Sequence, residues 1–147
     1  MAIRKRSVAT LIAATAASVG FAASPAEASV PGTPCDVQHG ACVQLSTNQA
    51  WLVYEGRASY GPVPITTGKP GYETPQGTFP VLRKVKDEWS VPYDAPMPYS
   101  TYFTTDGIAF HEGSLTEQSH GCVHLSPEAA ATFYDNLFVG EQVQVVA

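Results

Sequence analysis

From Cys42 onward the chain is cut into short runs of β-branched and aromatic residues, each closed by glycine, proline, serine or asparagine. Cys42-Val43-Gln44-Leu45 precedes a Ser-Thr-Asn turn signal, Ala50 to Tyr54 follows, and after Glu55-Gly56 the run resumes from Arg57 to Tyr60. Such residues suit a pleated, half-buried surface, and the turn residues between them send the chain back, so the pattern predicts a β-meander. Val63-Pro64-Ile65-Thr66 and Thr78 to Arg83 flank a Gly/Pro-dense loop, Gly68 to Gly77. Prolines inside these runs indicate edge strands or bulges, because proline lacks a ladder N–H. Residues 86–101, rich in Pro and Tyr, read as a long loop of the kind that walls a pocket. Only one segment carries helix punctuation. Ser126 is an N-cap, Pro127 suits the first helical position, and Glu128 complements the positive end of the dipole. Ala130, Phe133, Tyr134 and Leu137 recur at helical spacing, Gly140 lies beyond, and Val143 and Val145 alternate as a last strand. The expectation is a mainly β domain with one principal α-helix.

The N-terminus predicts export. Arg4, Lys5 and Arg6 precede an uncharged stretch from Val8 to Ala23, and Ala26-Glu27-Ala28 fits a small-x-small cleavage site. The organisation expected is a signal peptide over 1–28, an N-terminal segment with Cys35 over 29–41, and a catalytic domain over 42–147. The apolar run is short for a membrane span, so no stable membrane insertion is expected after processing. The full chain carries a formal charge of −5, and removing the leader's basic residues makes the rest more acidic. Nucleic acid is not an expected partner, since it selects basic patches. Of three cysteines, Cys35 and Cys42 lie close together beside the expected new N-terminus and read as a local disulfide. Cys122 is then the free thiol.

Cys122 sits in Ser119-His120-Gly121-Cys122-Val123-His124, with His111 a short way upstream. A thiolate attacks carbonyl carbon, and an imidazole can take its proton and return it. If 108–111 and 120–124 are extended and adjacent, period-two alternation sends His111 and Cys122 to one cleft, and Val123 and Leu125 to the core. Gly121 lets the backbone approach closely, and the N–H groups of Gly121 and Cys122 are candidates to hold an oxyanion. A backbone carbonyl near Glu112 or Gly113, or Glu112 itself, is the expected orienting partner of His111. His111, His120, Cys122 and His124 are also zinc-ligand types, but paired-Cys and helical His spacings are missing, so no metal or other cofactor is expected. Trp51, Tyr54 and Phe79 are expected in the core, His39 at the surface, and Lys84, Lys86, Asp87 and Glu88 on a solvated face.

In order along the chain, Trp51 to Thr67-Gly68, Thr74-Pro75-x-Gly77-x-Phe79, Met97-Pro98-Tyr99, Ala109-Phe110-His111 and Ser119-His120-Gly121-Cys122 resemble the L,D-transpeptidase catalytic domain (YkuD-like family). The resemblance implies a β-sandwich or barrel-like fold in a secreted, cell-wall-associated acyltransferase. It makes Cys122 the nucleophile and His111 the general acid/base, with His120 in the motif position and Gly121 and Cys122 at the oxyanion hole. Tyr99, Ser119 and His124 would belong to the substrate pocket. The implied partners are peptidoglycan stem peptides and an amine acceptor, on a second stem or as a free D-amino acid. Two departures stand out. His124 replaces the Arg or Asn of many members, and the stretch between His111 and the motif is short, which implies a reduced lid. A cysteine peptidase or amidase acting on stems, and a catalytically silent wall-binding domain, remain open alternatives.

Overall fold

The computed structural model describes residues 31–147, so the expected leader, 1–28, lies outside the described residues. One sheet contains β1 (Gly40–Gln44), β2 (Gln49–Tyr54), β3 (Arg57–Pro64), β4 (Gly77–Pro80) and β9 (Gln142–Val146), in the order β3-β2-β1-β9-β4. The other contains β5 (Arg83–Ser90), β6 (Ala95–Tyr102), β7 (Ala109–Glu112) and β8 (Val123–Leu125), in the order β5-β6-β7-β8. A single helix among the described residues, α1 (Pro127–Asn136), packs on β6, β7 and β8. The fold is mainly β, as expected.

Alternation along the strands builds the core. Ala41 and Val43 of β1, Ala50 and Leu52 of β2, and Val143 and Val145 of β9 meet Phe110 of β7, Val123 and Leu125 of β8, and Phe133 of α1. Phe103, Phe110 and Phe133 run through this layer with ring centroids 5.1 Å apart at each step. The opposite face of the first sheet is covered as well. There Cys42, Trp51 and Val53 pack with Cys35 and Val37, and a disulfide joins Cys35 to Cys42. Asp36 N–H also donates to Gln144 Oε1 of β9 at 2.8 Å. Trp51 is buried and Phe79 packs against the core, as expected, but Tyr54 is exposed at the end of β2, edge-on to His39 at 5.0 Å. Its place on the strand just before the Glu55-Gly56 turn leaves nothing to cover it.

Helix α1 begins as its residues dictate: Ser126 accepts the Ala129 N–H, with Pro127 in the first turn. The expected loop over 86–101 is instead a hairpin, β5 against β6, with pairs from Arg83↔Tyr102 to Ser90↔Ala95. Pro96 and Pro98 are two residues apart and share an edge of β6, whereas β7 pairs only with Thr101 and Tyr102. A missing N–H on that open edge breaks no ladder bond, so the proline signal was an edge rather than a loop.

Candidate active site

β7 and β8 run parallel in the register Phe110↔Val123, His111↔His124, Glu112↔Leu125. Because Phe110, Val123 and Leu125 face the core, His111 and His124 face away from it, and Cys122 enters just before β8. These three side chains line one cleft of about 390 Å³. The β5–β6 hairpin supplies its outer wall through Tyr93, Pro96 and Met97, and the Asp106–Ile108 turn closes another side. The expected extended run from 120 to 124 shrinks to 123–125, because Gly121 sits at φ +123°.

A net of hydrogen bonds holds the bend before β8. Ser119 Oγ donates to Cys122 O at 2.6 Å and accepts the Gly121 N–H at 3.0 Å. Thr74 Oγ1 donates to Gly121 O at 2.7 Å and accepts the Gly68 N–H at 3.0 Å. Ser119 N–H donates to Thr67 O, and Lys69 N–H to Ser119 O, both at 3.0 Å. A Cβ on Gly121 would approach Ile108 Cδ1 to 3.2 Å, in a backbone region that L side chains rarely adopt. The Gly121 N–H is therefore engaged by Ser119 and is not an open oxyanion donor. Of the expected pair, the Cys122 N–H is the remaining candidate. Ser119 lines the cleft, yet its hydroxyl braces the loop rather than facing a ligand. Neither Thr74 nor Thr66 stands out as a site residue in the sequence; the signal for Thr74 is its place at the head of the Thr74-Pro75-x-Gly77-x-Phe79 block in the Gly-rich loop.

His111 is 6% exposed, and its Nδ1 lies 2.7 Å from Glu112 O. Nδ1–H donates to that carbonyl, which fixes the ring and leaves Nε2 as the unprotonated ring nitrogen. Burial pulls its pKa down to about 4, aided by nearby His124 and opposed by the Glu112 carbonyl. Burial also pushes the Cys122 thiol up; the Ala109 backbone bond opposes this, and Asp106 adds to it. The thiol donates weakly to Gly107 O at 3.8 Å, and among the described hydrogen bonds none joins it to His111. Desolvation disfavours both charges, so the pair rests as thiol and neutral imidazole.

His124 Nδ1 lies 3.0 Å from Ser114 O and 3.2 Å from Thr66 Oγ1, and its ring meets the His111 ring edge-on at 4.8 Å. Burial lowers its pKa. A Cβ on Gly113 would come within 2.6 Å of the His124 ring, so glycine there makes room for it. His124 ties the loop before Ser119 to the back of the site. His120 is exposed at the rim, stacked on Tyr93 at 4.2 Å and edge-on to Tyr72 at 4.9 Å. The structure brings it to the cleft but not into hydrogen-bond contact with Cys122 or His111. Tyr99 does not line the cleft. Its φ of +59° breaks the alternation of β6, so Met97 faces the site while Tyr99 packs against Tyr134 of α1 at 5.8 Å. Among the described residues no three His, Cys, Asp or Glu side chains group as metal ligands.

Residues 38–145 match the family profile of the L,D-transpeptidase catalytic domain (YkuD). The chain is 33% identical, over a 104-residue alignment, to probable L,D-transpeptidase 3 of Mycobacterium tuberculosis, covering 58% of this chain and 38% of that protein. It is 31% identical to L,D-transpeptidase 1 of the same organism, covering 57% and 41%. The chain thus spans about two fifths of these curated relatives. Among solved structures it is similar to an L,D-transpeptidase from Stackebrandtia nassauensis, with 30% identity and a TM-score of 0.69 over 76% of this chain and 58% of that one. An L,D-transpeptidase from Mycobacterium smegmatis gives 25% identity and 0.68, over 76% and 59%.

Proposed function

Because this chain belongs to the L,D-transpeptidase catalytic domain family, we propose that it is an exported acyltransferase that remodels peptidoglycan through a Cys122 thioester. The observation that carries this reading is one free thiol sharing a cleft with an imidazole whose Nδ1 is locked on a backbone carbonyl. A stem tetrapeptide enters with the carbonyl before its terminal D-Ala near Sγ. His111 Nε2 takes the thiol proton as sulfur attacks, and the Cys122 N–H faces the developing oxyanion. The tetrahedral adduct collapses: the C–N bond breaks, His111 returns the proton to the amine of D-Ala, and a thioester remains. An amine on a second stem, or a free D-amino acid, then attacks the thioester carbonyl. A C–N bond forms, C–S breaks, and the amine proton passes to sulfur through His111. The basic and apolar start of the sequence, with its small-x-small site, supports the export part of this reading.

Intact-mass measurement after exposure to a stem tetrapeptide or a carbapenem tests this. Wild type gains the acyl mass and Cys122→Ala gains none. The same adduct on both proteins, or none on either, overturns the assignment.

A further inference from the structure

We propose that Asp106 selects cationic amine acceptors at Cys122, acting in the second half of the reaction; this rests on the acyl-transfer reading above. Asp106 lines the catalytic cleft and also a second cleft of about 440 Å³, and Cys122 lies on the wall of both. The second cleft holds Arg83, but that charge is committed. Its guanidinium pairs with Glu88 at 3.2 Å and lies over the Tyr102 ring at 3.6 Å. The catalytic cleft is lined by two carboxylates, Asp106 and Glu112, and by no Lys or Arg. Asp106 has no ion-pair partner among the described residues. Thr104 Oγ1 donates to its Oδ1 at 2.5 Å, which seats the carboxylate in the turn just before Gly107, whose carbonyl faces the thiol.

A negative charge at this point has opposite effects on the two half-reactions. During acylation it opposes the thiolate, and it is one cause of the raised thiol pKa. Once the thioester has formed, the sulfur is neutral and the carboxylate attracts an incoming ammonium. The ammonium loses one proton to solvent, the free amine attacks the thioester carbonyl, and its second proton goes to the departing sulfur through His111. An acceptor with a carboxylate beside the amine is repelled by the same charge. Amide-capped amines are therefore preferred over zwitterionic ones.

The structural alternative is that Asp106 only shapes the β6–β7 turn, where Thr104 Oγ1 also accepts the Ile108 N–H at 2.9 Å. Asn retains an oxygen for Thr104, and Glu restores the charge. The experiment follows acyl transfer from a stem tetrapeptide to D-alaninamide and to D-alanine in wild type, Asp106→Asn and Asp106→Glu. Wild type prefers D-alaninamide. The Asn variant loses about fivefold of that preference, the size of one exposed charge pair, and the loss lies in KM for the acceptor rather than in kcat. Glu restores the preference, and added salt erodes it in wild type. Acylation by the tetrapeptide in the Asn variant shifts to lower pH, with His111, His124 and Glu112 still lining the cleft. Normal acylation with an unchanged acceptor preference in Asp106→Asn, or a loss that Glu does not rescue, overturns the role of Asp106 alone. Absence of any Cys122 acylation in wild type removes the function on which it rests.

Discussion

Two parallel strand pairs, β1–β9 and β7–β8, interrupt sheets that are otherwise antiparallel, and their core faces are alike. Val43, Val143 and Val145 in one, and Phe110, Val123 and Leu125 in the other, are buried in the same apolar layer. They differ on the reverse face. Behind β1, Cys42 and Trp51 are sealed under the segment that the Cys35–Cys42 disulfide ties down. Behind β7 and β8, His111, Cys122 and His124 meet a cleft roofed only by the hairpin tip and two loops. An apolar cover turns one reverse face into a second core. Partial cover of titratable groups turns the other into a place where desolvation sets proton affinities.

Substitutions can attack that contrast from either side. The largest effect is expected at His111: His111→Gln slows Cys122 acylation by about 10²–10⁴-fold, the range for a positioned general base, while the fold persists. Stopped-flow acylation alongside thermal melts checks it, and an unchanged rate would place the base elsewhere. The next effect is on acid stability. His111 titrates near 4 when folded against 6.5 for a free imidazole. Between those values the unfolded chain holds a proton that the folded chain lacks. Stability from this group is therefore complete above about pH 6.5 and falls as pH drops towards 4, by about 3 kcal/mol. Denaturant midpoints measured from pH 7 to 4 should fall more steeply in wild type than in His111→Gln; parallel curves would contradict the assigned burial effect. The smallest effect sharpens the likeness of the core faces. Val143→Ala and Val123→Ala each cost about 2 kcal/mol, but only the latter, one residue from Cys122, also slows acylation of the folded protein. Equal slowing by both would mean that the first sheet also tunes the site.

Much of this was legible in local chemistry. Ser126 and Pro127 cap a helix wherever they precede an apolar helical stripe, since the groups they satisfy lie within one turn. Val143 and Val145 alternate whatever their partners, and the same alternation brings His111, Cys122 and His124 to one cleft. The disulfide was legible because its halves are close in the chain. Readings that depended on distant partners went differently. The Pro/Tyr-rich stretch became a hairpin because β7 leaves the proline edge of β6 unpaired. Tyr99 turned to α1 because its backbone leaves the strand conformation. His120 stacked on Tyr93 and met Tyr72 edge-on, residues far from it in the chain.

Residue types and their spacing thus settled which groups gather at the cleft and which elements carry them, because capping and alternation act over a few residues. The parallel register of β7 with β8, the capture of the Gly121 N–H by Ser119 in a loop anchored by Thr74, and the neutral resting state of Cys122 and His111 came from packing. Those properties depend on which distant atoms exclude water and which supply hydrogen bonds, and no stretch of chain holds that information alone.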